Sequence, residues 1–408
     1  MSANASSLDF TPALPPIRSN RAPLWISLLL LLAGVFYFND LAGWRQAALW
    51  IVGALLGVTL YHASFGFTQA WRVFVSDRRA AGLRAQMLML GVGVLLFFPV
   101  LSQGTLFGQP VAGLVSPAGV SVLLGAFLFG IGMQLGGGCA SGTLFAVGGG
   151  NTRMVVTLLF FVIGSVIATY VFPWWSALPA IKPTSMVLAW GPVPAIAANL
   201  VVFALIAWIA TRLERRRHGA VISFASRSAR PASLLRGPWP LVWGGIALVV
   251  LNFATLALAG RPWGITSAFA LWGAKALATL GVDVGSWAYW AKQQKALAAP
   301  VGMDVTTVMD IGLMLGALAA ASVAGKFAPV WKLPLRSLLG AIVGGLLLGF
   351  GARLAYGCNI GAYFSGIISG SLHAWLWLPA AFAGSALGVH LRPLFGLNVE
   401  KTAAPAVC

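Results

Sequence analysis

Residues 124–145 read LGAFLFGIGMQLGGGCASGTLF, and residues 343–364 read VGGLLLGFGARLAYGCNIGAYF. Laid over one another, Gly125, Gly130, Gly132, Leu135, Gly138, Cys139 and Gly142 meet Gly344, Gly349, Gly351, Leu354, Gly357, Cys358 and Gly361. One inserted residue later, Gly164-Ser165 matches Gly384-Ser385. A shorter match lies upstream, where Gly66-Phe67-Thr68-Gln69-Ala70 stands beside Gly264-Ile265-Thr266-Ser267-Ala268. Chance in glycine-rich sequence would account for the short match by itself. It does not account for seven aligned identities that include both cysteines. The chain reads as two copies of one unit.

Both copies are apolar. Of 408 residues, 59% are hydrophobic and 8% charged, with a mean hydropathy of +0.89. Soluble domains carry about 25% charged residues, so this chain lacks the material for a water-facing surface. Apolar runs near bilayer length recur at 24–38, 44–61, 85–101, 118–135 and 154–172. They continue at 193–210, 241–259, 305–324, 338–354 and 374–389. The expected fold is an all-α polytopic membrane protein of ten spans. The first run is followed by Tyr37-Phe38-Asn39-Asp40 rather than a small-residue cleavage pattern, so it reads as a retained span.

The net charge of +18, from 26 Lys and Arg against 8 Asp and Glu, would suggest a nucleic-acid partner in a soluble protein. Here the basic residues sit between the apolar runs, which points to membrane lipid and away from nucleic acid. The clusters Arg78, Arg79 and Arg84; Arg212, Arg215, Arg216, Arg217, Arg227, Arg230 and Arg236; and Lys326, Lys332 and Arg336 mark cytoplasmic loops. With both termini cytoplasmic, the loops left outside carry less: Arg45 in one, Lys182 in another, and Lys292 with Lys295 in a third.

This topology divides the chain into a cytoplasmic segment 1–23, an extra first helix and outer loop 24–43, and a first repeat 44–173. A connecting helix and basic linker 174–240 lead to a second repeat 241–392 and a tail 393–408. The span entering Cys139 runs inward and the span entering Cys358 runs outward, so the repeats are inverted. Inverted repeats place a substrate site near the midplane, between broken helices of both halves.

Four stretches, about 63–75, 139–150, 263–276 and 358–370, read as short re-entrant arms. Gly136-Gly137-Gly138 and Gly148-Gly149-Gly150 flank one of them as hinges. Irregular backbone at membrane depth is tolerated where protein or a water-lined cavity surrounds it. Cys139 and Cys358 each precede a short helical stretch, and a helix N-terminus offers free N–H groups and roughly +0.5 of a charge. Two such ends would favour an anion without a full charge at the bilayer centre and would still let it leave. A neutral thiol is a weak donor and a polarizable acceptor, suited to a soft sulfur atom.

The residues expected to line this path are Cys139, Cys358, Gly138, Gly357, Ser141, Asn359, Gln134 and Arg353. Gly66, Thr68, Gly264 and Thr266 join them from the other arms. Thr143, Asn151 and Ser365 are expected to satisfy broken-helix backbone. Arg353, opposite Gln134 in the repeat, would either draw anions to the vestibule or snorkel to the interface. Three cysteines at 139, 358 and 408 show no metal-ligand spacing, and His62, His218, His373 and His390 are scattered. No metal or other cofactor is expected. There is no nucleotide-binding loop to supply ATP drive. Asp304 and Asp310 are placed at or near the outer end of the eighth span, so facilitated passage is expected rather than proton coupling.

The stretches GGGCASGTLFAVGGG at 136–150 and FGARLAYGCNIGAYFSGIISGSLHAW at 350–375 closely resemble the YeeE/YedE family of bacterial inner-membrane proteins. The similarity covers roughly 45–395. It implies an hourglass fold and uptake of thiosulfate or a related sulfur anion, with selenium compounds as an alternative. It further implies a relay of transient S–H···S contacts at Cys139 and Cys358, and a separate small cytoplasmic sulfur-carrier protein as a possible partner. Family members often carry Cys in an F-C-F-T context where this chain reads Phe65-Gly66-Phe67-Thr68. Cys408 ends a tail outside the matched region.

A membrane enzyme of thiol–disulfide or sulfur-transfer chemistry is the competing class. It would need a base beside a reactive cysteine, and sequence places no His or acid next to either motif. A scaffold that recruits a sulfur carrier has no feature of its own in the sequence.

Overall fold

The computed structural model describes residues 19–224 and 234–399. Cys408, Arg18, Arg227, Arg230 and most of the N-terminal segment lie outside them. The first half comprises α1 (Arg21–Ala42), α2 (Trp44–Ala63), α3 (Phe67–Asp77), α4 (Ala81–Gln103), α5 (Val120–Gly136), α6 (Ala140–Gly148) and α7 (Thr152–Tyr170). Short helices α8 (Phe172–Ser176) and α9 (Met186–Trp190) lead to the long α10 (Pro192–His218). Then follow α11 (Leu241–Ala259), α12 (Thr266–Thr279), α13 (Gln294–Ala298), α14 (Val305–Val323) and α15 (Leu335–Leu354). A π-helical turn, Asn359–Phe364, runs into α16 (Ser365–Ile368), and α17 (Leu372–Leu391) closes the fold. Among the described residues, ten helical segments are long and apolar enough to cross a membrane, as the sequence predicts. Among the described residues, strand is confined to two-residue antiparallel ladders.

Glycine decides how these helices pack. A Cβ on Gly130 of α5 would stand 2.7 Å from the Ser385 amide nitrogen in α17, and one on Gly349 of α15 would stand 2.5 Å from that of Ser165 in α7. These two contacts are the same contact made twice with the halves exchanged. Between α5 and α15 the pattern repeats: a Cβ on Gly132 would meet Leu348 N at 2.8 Å, and one on Gly351 would meet Phe129 N at 2.7 Å. Residue number rises along α5 as it falls along α15, so the two helices cross antiparallel. Small residues at such crossings let backbones approach, which drives association where lipid supplies no hydrophobic force.

Two helices, α1 and α10, present wide apolar faces outward. α1 packs on α2 and α14 through Phe38, whose ring lies 5.0 Å from that of Trp50. Its other face exposes Trp25, Leu29, Leu32 and Phe36, and α10 exposes Val193, Val201, Leu205 and Trp208. At the far end of α10, buried Glu214 holds Arg84 at 3.1 Å and Arg79 at 3.5 Å, tying it to the first turn of α4 and to the loop before it.

Candidate functional site

Each central cysteine stands where a helix breaks. α5 stops at Gly137, which holds φ 95°, and Cys139 becomes the N-cap of α6 with φ −80° and ψ −171°. α15 stops before Tyr356 (φ 57°) and Gly357 (φ 152°), and Cys358 caps the π-helical turn with φ −107° and ψ −167°. The preceding glycines have no room for a side chain. A Cβ on Gly138 would lie 3.1 Å from Gly142 C, and one on Gly357 would lie 2.7 Å from Ala362 N. Both arms then return through a left-handed glycine, Gly150 and Gly370, to an N-cap at Asn151 and Ser371.

The sulfur atoms lie over the first turns they cap. Cys139 Sγ is 3.4 Å from Ser141 Oγ, with the Gly142 amide beside it, and Cys358 Sγ accepts from Ile360 N–H at 3.4 Å. Both cysteines are buried, and α6 touches the π-helical turn, so the two capped ends meet inside the bundle. Thr68, at the start of α3, brings its hydroxyl close to Cys139 without completing a hydrogen bond. On the other side, Gly264 Cα approaches Gly361.

Gln134 and Arg353 serve opposite arms in matching ways. Gln134 Nε2 donates to Thr68 O at 3.1 Å and to Ser385 Oγ at 2.7 Å. Arg353 donates to Thr266 Oγ1 at 2.6 Å and to Tyr289 Oη at 3.3 Å. Arg353 is 8% exposed, so it is held inside and does not snorkel. The structure thus gathers Cys139, Ser141, Thr68 and Gln134 on one side, and Cys358, Gly357, Gly264, Arg353 and Thr266 on the other. Gly66 lies one turn from this centre as the N-cap of α3.

Thr143, Asn151 and Ser365 satisfy backbone. Thr143 Oγ1 donates to Cys139 O at 2.8 Å, Asn151 Oδ1 accepts from Met154 N at 3.3 Å, and Ser365 Oγ donates to Trp263 O at 2.7 Å.

Asn359 differs. It is fully buried, and neither its amide nitrogen nor its oxygen has a partner. Tyr363 Oη and Trp377 Nε1 are also buried and unpartnered, on rings stacked 5.9 Å apart. Buried polar atoms are almost always paired, so unpartnered donors next to a capped thiol can serve a transient guest. Tyr363 and Trp377 escape sequence reading because aromatics in apolar helices read as core. Asp310 lies near the start of α14, six residues beyond the Asp304 cap. It is fully buried.

The family model described as sulphur transport matches residues 62–387. The thiosulfate transporter TsuA of Spirochaeta thermophila is 28% identical over 335 residues, covering 80% of this chain and 92% of that protein. TsuA of Escherichia coli is 25% identical over 352 residues, 81% of this chain and 90% of that one. The probable transporter YedE of Escherichia coli is 34% identical over 164 residues, a stretch that makes up 40% of each chain. Taken with the broken helices capped by Cys139 and Cys358, the match over most of its length makes this chain a member of the sulphur-transport (YeeE/YedE) family.

Proposed function

We propose that this protein carries thiosulfate, or a closely related sulfur anion, inward across the bacterial inner membrane, past the neutral thiols of Cys139 and Cys358. The observation that carries this reading is the pair of buried, cysteine-capped helix ends meeting beside unpartnered donors on Asn359 and Tyr363. The names borne by the TsuA relatives supply the substrate class.

The thiol's role follows from its chemistry. A dianion leaving water must exchange hydration for donors, and hydrogen bonds to a charged group contribute about 1.5–3 kcal/mol each. Helix-end amides and S–H groups supply several such bonds without a fixed cation that would trap the anion. In this reading the anion passes Arg353, then Cys358 with Asn359, then Cys139 with Ser141 and Thr68. Gly138 and Gly357 set the break that aims each helix end.

The two halves cross the membrane in opposite senses in this scheme, and the exchanged contacts of Gly130 with Ser385 and Gly349 with Ser165 support that relation. The basic loops at 78–84, 212–217 and 326–336 then face the cytoplasm. A separate sulfur-carrier protein would collect the anion there.

The test is uptake of labelled thiosulfate into proteoliposomes by wild type, Cys139→Ala, Cys358→Ala and Cys408→Ala. Loss of flux in the first two alone, with unfolding midpoints intact, is expected. Full flux in all four proteins would remove the thiols from the mechanism. Absent wild-type flux would turn the search to other sulfur anions and to selenium compounds.

A further inference from the structure

Asp304 and Asp310, six residues apart, have different fates. Asp304 caps α14, accepting from Thr307 N at 2.8 Å and Thr307 Oγ1 at 2.7 Å. Asp310 lies deeper in the same helix and is fully buried. Among the described residues it is the one buried carboxyl group with neither oxygen hydrogen-bonded.

Its place on α14 sets what it can do. Residues 306, 310, 314 and 317 form one stripe of the helix. At the outer end of that stripe, Thr306 Oγ1 accepts from Arg261 at 3.0 Å and bonds Ser267 Oγ at 3.2 Å, at the entry to α12. At the inner end, Ala317 Cβ would lie 2.9 Å from a Cβ on Gly148, the last residue of α6. Asp310 therefore stands between the arm that carries Thr266 and the arm that Cys139 caps.

The other groups around it are few. Arg261, bonded to Thr306, and Asp304, the N-cap, stand at the start of the same helix. α12 brings Lys275, whose ammonium is spent on Leu297 O and Ala299 O at 2.6 and 2.7 Å. α2 packs against α14 through Gly53 and Gly57 and keeps Arg45 and His62 at its two ends. α1 carries Tyr37 and Asp40 near its exposed end, and α6 has no ionisable group.

An ionised carboxylate with no donor is costly in such a setting, and acids inside spans mark proton and ion pathways. A negative charge at this point would also repel an anion beside Cys358, since low dielectric magnifies the field. We propose that Asp310 carries one proton inward with each anion, which makes the uptake proton-driven. The carboxyl takes its proton from the outer side, is neutral while the anion passes Cys358, and releases the proton inward afterwards. Arg261 balances the ionised form. One proton leaves the outer solution and one enters the inner solution per cycle, with the carboxyl unchanged.

This inference rests on the anion-transport reading, and the experiment separates the two. Purified protein is placed in proteoliposomes holding a pH dye, with the membrane potential clamped and labelled thiosulfate outside. Counterflow at equal pH reads the path alone. An inward gradient of one pH unit would then support about tenfold accumulation if one proton accompanies each anion, with acidification of the lumen. Asp310→Asn, which resembles the protonated side chain, is expected to keep counterflow and lose both accumulation and acidification. Wild-type counterflow without acidification overturns the coupling and leaves the anion reading standing. Absent counterflow overturns the anion reading and this inference with it. Infrared spectra give a readout independent of flux: a protonated-carboxyl stretch present in wild type and lost in Asp310→Asn is expected, and identical spectra would overturn the proposal.

Discussion

The two halves break their central helices in the same place and hold the broken ends by different means. In the first half, the final carbonyls of α5 are taken by side chains from other elements. Arg392 donates to Gln134 O at 2.7 Å, and Arg153 donates to Leu135 O at 2.6 Å and Gly136 O at 2.7 Å. In the second half, the carbonyls of Gly351, Arg353 and Ala352 accept from the amides of Ala355, Tyr356 and Gly357, so α15 closes on its own backbone. Positive charge is redistributed accordingly. The first half places guanidinium groups against the helix end, where the macrodipole is negative. The second carries its guanidinium inside α15, as Arg353, where the first has Gln134. One break depends on distant cations and the other on a local turn.

The largest expected effect concerns what the halves share. Gly130→Ala and Gly349→Ala each drive a methyl into backbone that cannot yield, and overpacking of this kind costs about 1–3 kcal/mol. The sites are distinct, so the double variant is expected to lose about 2–6 kcal/mol, read as a fall in unfolding midpoint in detergent. Equal losses from the two single variants would sustain the exchanged packing. A loss confined to one of them would break it.

Arg153→Ala tests what the halves do not share. It leaves Leu135 O without this donor and Gly136 O with only Thr157 Oγ1, at 3.1 Å. An unpaired buried acceptor costs about 1–3 kcal/mol. The residue at the matching place in the second half is His373, whose Nδ1 bonds Ser371 Oγ at 2.5 Å. Removing it, in His373→Ala, deletes one hydrogen bond and no helix cap, so about 0.5–1.5 kcal/mol is expected. Thermal unfolding of the two variants side by side would expose the asymmetry, and equal losses would deny it.

The sequence made the shared features readable because they depend on glycine, whose spacing is visible without a structure. Gly130 and Gly349 align, and so do the left-handed Gly150 and Gly370 once the inserted residue is counted. The features that differ depend on contacts across the bundle, which spacing does not reveal. Arg153 follows a glycine hinge and resembles any basic flank until its guanidinium is seen on Gly136 O. Asp310 lies six residues beyond a cap and reads as the end of a span, although position 310 shares a stripe with Thr306. Arg353 had two readings in sequence, and its bonds to Thr266 and Tyr289, which hold it inside the bundle, come from elements far along the chain.

Arg353→Gln would make the second half resemble the first at the point of entry. If Arg353 stands beside the proposed path, its guanidinium raises the local anion concentration, and its loss is expected to raise KM about tenfold while kcat changes by less than about twofold. Initial uptake rates across a thiosulfate series would show this. A fall in kcat with KM unchanged would instead assign Arg353 to the passage step, beyond the part that Gln134 plays in its own half.

The smallest effect is expected from adding a thiol. Gly66 holds φ −100°, which any residue adopts, and a Cβ there would meet Gln69 Cβ at an ordinary 3.5 Å. Gly264, its counterpart, has only Arg261 within reach of a Cβ, at 3.9 Å. Neither glycine is required by backbone or by packing, unlike Gly138 and Gly357. Gly66→Cys is therefore expected to shift stability by less than about 0.5 kcal/mol. If a thiol at the start of α3 adds one more donor to the route beyond Cys139, uptake should rise by about two- to threefold, since each factor of ten needs 1.4 kcal/mol and a neutral thiol is a weak donor. Gly264→Cys, on the Arg353 side, should leave the rate unchanged because the guanidinium already supplies stronger donors there. Equal gains from both would mean that the two arms are interchangeable despite their different cations, and a stability loss at Gly66 would mean that the arm is packed more tightly than its geometry indicates.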